Sequence, residues 1–229
     1  MGGARHGEGG EAMHLGSRGR KQPLFRGVKP VWGDNYRRGF IGFTHHDTSL
    51  ICEGISWFTD LDGVDKMPWS HCLIVTGPDE CIEANPEGVV RSGLRDRLAD
   101  PHCRISFRKP EDMTDGMANE IVAVGEKQLG CKYDYPLLAA HAVTAIGFKK
   151  WFLGRVINRV FGNRPEEMVT ALLNHDRKWI CSELCAHALD EQPQYRDRGV
   201  LAQATHAINP NELMWSFEIW SEWDAGGRS

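Results

Sequence analysis

The chain has 229 residues, of which 41% are hydrophobic and 25% are charged, and its formal net charge is −4 at pH 7. A chain of this length and composition is typical of a globular protein that builds one good-sized core, or at most two small domains. Nucleic-acid binding generally requires a strongly basic face, so the negative charge gives no reason to expect a DNA or RNA partner.

The two ends of the chain are predicted to be disordered. Residues 1–23 are rich in glycine and charge and lack the hydrophobic run of a secretory signal. We expect a single folded domain over residues 24–223, with disordered ends at 1–23 and 224–229. The seven cysteines do not resemble the disulfide framework of a small secreted protein. An odd number of cysteines spread along the chain favours reduced thiols. Since there is also no secretory signal and no segment with the roughly 18 unbroken apolar residues of a membrane span, we expect a cytoplasmic protein.

Short apolar segments separated by turns indicate that strands dominate the first half of the chain. The clearest signal is a hairpin, in which residues 71–76 and 81–84 flank a Gly-Pro-Asp-Glu turn. Residues 104–108 alternate between polar and apolar types, as a strand with one wet face does. The predicted elements of this half are strands at 39–43, 71–76, 81–84, 88–92 and 104–108 and a helix at 48–57.

Helical patterns dominate the second half. Thr114 and Asp115 are favourable N-cap residues, and the apolar residues after them share one helix face until Gly130. Strands followed by helices indicate an α+β fold, in which an antiparallel sheet carries helices on one face. The elements predicted after Gly130 are helices within 136–161 and at 182–189 and a last strand at 215–220.

Cys181 stands directly before an amphipathic helical run and is the first candidate for chemistry. A cysteine in a first helical turn lies beside unpaired backbone N–H groups and the positive end of the helix dipole, which both favour the thiolate. Position alone does not exclude one more buried structural cysteine. A nucleophilic role would require a base near the thiol.

His71 lies at the head of an apolar strand and is the candidate base. Its candidate orienting partner is Glu83, the one charge in an otherwise apolar strand, since carboxylates are seldom buried unpaired. A three-residue turn at 77–79 would place Leu73 opposite Glu83, with Asn85 opposite His71. Glu83 would then be a diagonal neighbour of His71 within side-chain reach, and Asn85 remains a competitor for the orienting role.

Four segments together resemble the circularly permuted papain-like amidases, the YiiX-like branch of the NlpC-type cysteine peptidase superfamily. The segments are Ser-His ahead of an apolar strand (70–75), Ile-Glu-Ala-Asn-Pro-Glu-Gly-Val-Val (82–90), Gly-Cys-Lys-Tyr-Asp-Tyr (130–135) and Trp-Ile-Cys-Ser-Glu-Leu (179–184). In that branch the His and its acidic partner precede the Cys, and the order His71, Glu83, Cys181 is the same.

The resemblance covers roughly residues 38–190 and implies a Cys-His-Glu triad of Cys181, His71 and Glu83. It also implies a papain-like core, in which a helix carrying the Cys packs against a small antiparallel sheet carrying the His. The sequence departs from the pattern at Phe40, where relatives commonly have Asp, and at Cys72-Leu73, where a Gly is frequent. These departures lie beside the expected groove and leave the substrate class open between peptide amides and lipids.

A metal site and a lipid-binding helix are two further possibilities in this sequence. Cys181 and Cys185 share a helix face, and His45, His46 and Asp47 are consecutive, but no second pair with CxxC-like spacing completes a zinc site. We therefore expect no metal and no cofactor. Residues 148–161 would form a basic amphipathic helix, which either packs on the core or contacts a membrane surface or lipid.

The sequence thus predicts a cysteine hydrolase that cleaves a peptide-type amide through an acyl-enzyme on Cys181, with His71 as base and Glu83 as orienting residue. A small peptide or acyl compound is the expected partner. The alternatives are a lipid or thioester acyl hydrolase or acyltransferase that uses the same triad, and a binding module that keeps the fold without turnover.

Overall fold

A computed structural model of the chain describes residues 30–46, 69–134, 178–203 and 208–221, and over these ranges the fold is α+β. Five strands form one antiparallel sheet in the order β4-β3-β2-β1-β5. The predicted strands of the first half are all present, with ends shifted by a few residues. They are β1 (Ile41–His46), β2 (His71–Gly77), β3 (Glu80–Asn85), β4 (Gly88–Gly93) and β5 (Cys103–Arg108).

Helices cover one face of this sheet. The described helices are α1 (Arg95–Ala99), α2 (Asp115–Lys127), α3 (Cys181–Asp190) and α4 (Pro210–Met214). Helix α2 lies against β2 and β3 so closely that a Cβ on Gly125 would come within 2.9 Å of Ile74 Cδ1. Helix α3 packs beside α2 on the same strands. The remaining elements are a 3-10 turn at Gly199–Ala202 and a parallel pair of β6 (Lys132–Tyr133) with β7 (Lys178–Trp179).

The predicted register of the hairpin is confirmed. Ile74 pairs with Ile82 and Val75 with Cys81, and this register continued along β2 sets Leu73 opposite Glu83. The turn itself is tighter than predicted, because Gly77 pairs with Glu80 and Thr76 is left as an extra residue in β2. An odd number of residues, 76–80, therefore still separates the paired residues Val75 and Cys81. Because of this odd number, Glu83 stays on the predicted face of the sheet.

The predicted strand at 215–220 is wrong. The chain forms α4 just before this segment, where the Asn209 side chain accepts the Glu212 N–H and the Glu212 carboxylate accepts the Asn209 N–H, both at 2.9 Å. Residues 215–220 then follow as turns, with one bridge between Trp220 and Pro110. The apolar character of the segment reflects burial of Trp220, whose Nε1 donates to the Leu213 carbonyl, and not sheet pairing.

The helix predicted after Thr114 is confirmed, although it ends at Lys127 and Gly130 lies in the turn beyond it with φ +82°. The helices predicted at 48–57 and within 136–161, the basic segment 148–161, and both predicted tails lie outside the described residues. Among the residues that are described, no helix is long and apolar enough to cross a membrane.

Candidate active site

Cys181 is the first residue of α3, as the sequence predicted. The preceding Ile180 is extended, and its N–H donates to the Glu183 carboxylate at 3.4 Å. The first intrahelical hydrogen bond runs from the Leu184 N–H to the Ile180 carbonyl. The N–H groups of Cys181 and Ser182 therefore have no intrahelical acceptor, and the buried Cys181 thiol lies at the positive end of the helix.

The segment that leads into α3 is held by a short parallel ladder. Strand β7 ends at Trp179 and pairs with β6, and the Asp134 N–H donates to the Trp179 carbonyl at 3.0 Å. Strand β6 is fixed in turn to the main sheet, because the Val89 N–H donates to the Cys131 carbonyl and the Gly130 N–H donates to the Val89 carbonyl. The start of α3 is thus positioned by backbone hydrogen bonds that trace back to β4.

His71 is the first residue of β2, and it joins Cys181 to Glu83. Its Nε2 lies 2.5 Å from Glu83 Oε2, which leaves Nδ1 for the Cys181 thiol that the imidazole also contacts. Because side chains alternate along a strand, Cys72 points to the helix-covered face, where its thiol contacts Cys181 and Cys185. The site therefore lies at the end of the sheet, where the imidazole reaches Glu83 on one side and α3 on the other.

Glu83, and not Asn85, makes the hydrogen bond to His71. The Glu83 side chain is only 1% exposed, and its second oxygen, Oε1, accepts from Arg97 Nη2 at 2.6 Å. Asn85 Nδ2 donates to the same Oε1 at 3.4 Å and so touches the carboxylate rather than the imidazole. Of the two candidates that the sequence left open, Glu83 is the one that contacts the imidazole.

The charges of the site stabilise an ion pair. Burial disfavours the imidazolium, but the Cys181 sulfur and the Glu83 carboxylate outweigh it and raise the pKa of His71 to about 10. Burial works against the Glu83 carboxylate as well, yet the hydrogen bond and charge of His71, together with the charge of Arg97, hold the pKa of Glu83 well below its usual range. Both groups are therefore charged at neutral pH.

The pKa of Cys181 lies well below that of an ordinary thiol. The largest cause is a hydrogen bond from the Cys72 thiol, which lowers the pKa of Cys181. Burial of Cys181 raises its pKa, but the charge and hydrogen bond of His71 lower it further. Burial meanwhile raises the pKa of Cys72 well above the usual value, so Cys72 stays protonated and is the donor of this pair. Both shifts therefore favour a thiolate–imidazolium pair of Cys181 and His71.

Two residues of this site were not found from the sequence. Arg97 follows Arg95 and Asp96 in a five-residue helix, where nothing in the sequence distinguishes it from a surface charge. Cys72 directly follows His71 in an alternating strand, and this position is a sequence signal that its thiol lies next to the site.

Four of the residues considered for a metal site, His45, His46, Cys181 and Cys185, lie in the described part of the chain, and Asp47 lies outside it. In the described part of the chain, no group of three or more His, Cys, Asp or Glu side chains is placed to hold a metal ion. His46 Nε2 lies 2.8 Å from Asp100 Oδ2. Cys185 is buried one turn after Cys181, against Cys72.

Comparison of the sequence with models of known protein families gives no match, and comparison with curated proteins gives no significant match.

Proposed function

We propose that the protein is a cysteine hydrolase of the permuted papain-like type that cleaves a peptide-type amide through an acyl-enzyme on Cys181. The observation that carries this proposal is the continuous contact from Cys181 through His71 to the buried Glu83, with the thiol at a helix N-terminus. A thiolate, a base and a group that orients the base are the three parts that nucleophilic catalysis needs. The helix carrying Cys181, packed on an antiparallel sheet carrying His71, agrees with the core that the resemblance implies.

In acylation the Cys181 thiolate attacks the carbonyl carbon and forms a tetrahedral intermediate with a negatively charged oxygen. The imidazolium of His71 then donates its proton to the leaving nitrogen, the carbon–nitrogen bond breaks, and the amine departs. The acyl group remains on the sulfur as a thioester, and His71 is left neutral. Glu83 holds Nε2 throughout, which keeps the opposite nitrogen directed at the sulfur.

In deacylation neutral His71 takes a proton from a water molecule, and the resulting hydroxide attacks the thioester carbonyl. The second tetrahedral intermediate expels the Cys181 thiolate and releases a carboxylic acid, which restores the ion pair with protonated His71. The charged oxygen of both intermediates is stabilised at the start of α3, where the Cys181 N–H has no intrahelical acceptor. A single donor of this kind typically contributes ~3 kcal/mol to the transition state.

The proposal is tested with aldehydes, which add to an active thiolate to form a hemithioacetal. A peptide aldehyde labelled with ¹³C at the carbonyl carbon is mixed with the protein, and the ¹³C resonance is followed by NMR. The expected result is conversion to a hemithioacetal in the wild-type protein and in Cys185→Ser, but not in Cys181→Ser.

A fatty aldehyde of similar size is the comparison that separates the substrate classes. Preference for the peptide aldehyde supports amide hydrolysis, whereas preference for the fatty aldehyde would move the proposal to a lipid or thioester acyl group. Addition of neither aldehyde to Cys181 would favour a binding module and overturn the proposal.

A further inference from the structure

Arg97 reaches the candidate triad from α1, a helix that carries none of the three triad residues. Its Nη2 lies 2.6 Å from Glu83 Oε1, while Glu83 Oε2 lies 2.5 Å from His71 Nε2. Each carboxylate oxygen therefore has its own cationic partner, and the carboxylate cannot rotate toward His71 or away from it without breaking one of these charge-assisted bonds.

The charges of the site alternate in the order Cys181⁻, His71⁺, Glu83⁻, Arg97⁺, so the resting state is balanced. Once His71 has donated its proton in the proposed reaction, the sulfur is acylated and the imidazole is neutral. Glu83, with 1% of its side chain exposed, then depends on Arg97 as its cation. A buried carboxylate without a cation is costly and takes up or attracts a proton instead.

We propose that Arg97 is a positioning residue, which keeps Glu83 ionised and directed at His71 and balances its charge while His71 is neutral. This inference rests on the hydrolase proposed above. Arg97 donates its hydrogen bond to Glu83, which in turn contacts His71, so in this proposal Arg97 acts through Glu83.

The surroundings of Arg97 agree with a role at the site rather than a general contribution to stability. Its second amino group, Nη1, is buried and has no hydrogen-bond acceptor among the described residues, whereas an arrangement selected for stability alone tends to satisfy both groups. Arg95 offers the contrast within the same helix. Its side chain is 79% exposed and pairs with Asp79 at the surface.

Deacylation is the step in which Arg97 matters most. His71 must be neutral to accept a proton from water, and a nearby fixed cation favours the neutral imidazole. Without that cation the Glu83–His71 pair binds its proton more tightly, so less neutral His71 is present in the acyl-enzyme. The thiolate–imidazolium pair of the resting state, by contrast, is not weakened by the loss of Arg97.

The first test measures the pKa of His71 by NMR in the Cys181→Ser background, where no thiolate contributes. Arg97→Gln removes the charge and keeps an amide donor for Glu83, and it should raise the pKa of His71 by about 1 unit. Arg97→Lys, which restores a charge, should reverse most of the shift, and the matched control Arg95→Gln should cause none. An unchanged pKa in a folded Arg97→Gln protein would overturn the proposal. Failure of both Arg97 variants to fold would also overturn it, since the role would then be stability alone.

The second test separates acylation from deacylation with an activated chromogenic ester or anilide. In Arg97→Gln the burst of acylation should persist, while on the acid side of the pH profile the steady-state rate should fall by about tenfold, as expected for 1 unit of pKa. An equal loss of burst and steady state would overturn the assignment to deacylation. If the wild-type protein turns over no acyl compound, the hydrolase proposal fails, and the NMR test still decides whether Arg97 controls the protonation of His71.

Discussion

Cys72 lies against Cys181, and both its thiol and its backbone N–H donate hydrogen bonds to the Cys181 sulfur. Cys72 follows His71 directly in β2, so one strand presents the imidazole and a second donor to the same sulfur. The hydrogen bond from the Cys72 thiol is the largest cause of the lowered pKa of Cys181. We infer that Cys72 is part of the machinery that keeps Cys181 ionised.

Replacing Cys72 with Ala should therefore raise the pKa of Cys181 and slow its alkylation by iodoacetamide at pH 6 severalfold, because thiolate is the reacting species. Cys72→Ser, which keeps an O–H donor, should retain more of the rate. Cys81→Ala is the matched control, since Cys81 is equally buried in β3 but its thiol donates to the Ser92 carbonyl. Equal rates in Cys72→Ala and Cys81→Ala would show that the thiol hydrogen bond is unimportant.

Limiting iodoacetamide at pH 6 should label Cys181 well ahead of Cys185. Both are buried in the same helix, but Cys185 lies one turn beyond the N-terminus. His71→Ala should reduce the advantage, because the charge and hydrogen bond of His71 are lost while the hydrogen bond from Cys72 and the helix dipole, which contributes only ~0.3–2 kcal/mol, remain. Peptide mapping by mass spectrometry gives the site ratio. Slower labelling of Cys181 than of Cys185 in the folded protein would count against the nucleophile.

The pH dependence of this labelling should be nearly flat for Cys181 between pH 6 and pH 8. The pKa of Cys181 is lowered well below the ordinary value, so we expect the thiolate to be present already at pH 6, and the pKa of about 10 keeps His71 protonated throughout. An ordinary thiol, with a pKa of about 8.5, should accelerate by roughly tenfold per unit over most of this range. The denatured protein supplies the reference rates, and a tenfold rise per unit in folded Cys181 would contradict the ion pair.

Glu83→Gln should cut the proposed turnover by orders of magnitude, whereas Asn85→Ala should cost little. The Glu83 carboxylate both orients His71 and stabilises the imidazolium, while Asn85 only donates to Glu83 at 3.4 Å. Steady-state kinetics with the same acyl substrate compare the two variants, and urea unfolding checks that both are folded. The opposite ranking would transfer the orienting role to Asn85.

Gly88→Ala should be among the more destabilising substitutions in the described part of the chain. Gly88 has φ +114°, and a Cβ there would collide with the Cys131 carbonyl oxygen. Gly130 is the control, because it has φ +82° but open space around its missing Cβ. We expect Gly130→Ala to cost ~1–2 kcal/mol for the backbone conformation alone, and Gly88→Ala to cost about 1–3 kcal/mol more from the steric clash. Urea unfolding measures both, and similar losses would exclude the close approach.

The sequence predicted the hairpin well, because period-two alternation and a Gly-Pro-Asp turn constrain both the face and the register of Glu83. It did not predict the bulge at Thr76, since different combinations of turn and bulge lengths give the same alternation. The predicted last strand at 215–220 was wrong because a buried turn that contains an aromatic residue such as Trp220 can have the same amino-acid composition as a strand. Arg97 was missed for a different reason. A pairing between a five-residue helix and a neighbouring strand depends on tertiary contacts and has no local pattern.

The reactivity of Cys181 reports whether α3 is packed on the sheet, because the site lies between them. His71 and Cys72 belong to one early strand, while Cys181 arrives much later in the chain through β7, so the lowered pKa of Cys181 exists only while α3 is docked on β2. Alkylation kinetics in increasing urea would therefore monitor the docking of a single helix. A return of Cys181 to ordinary thiol reactivity before the global transition would identify α3 as a unit that opens independently of the sheet.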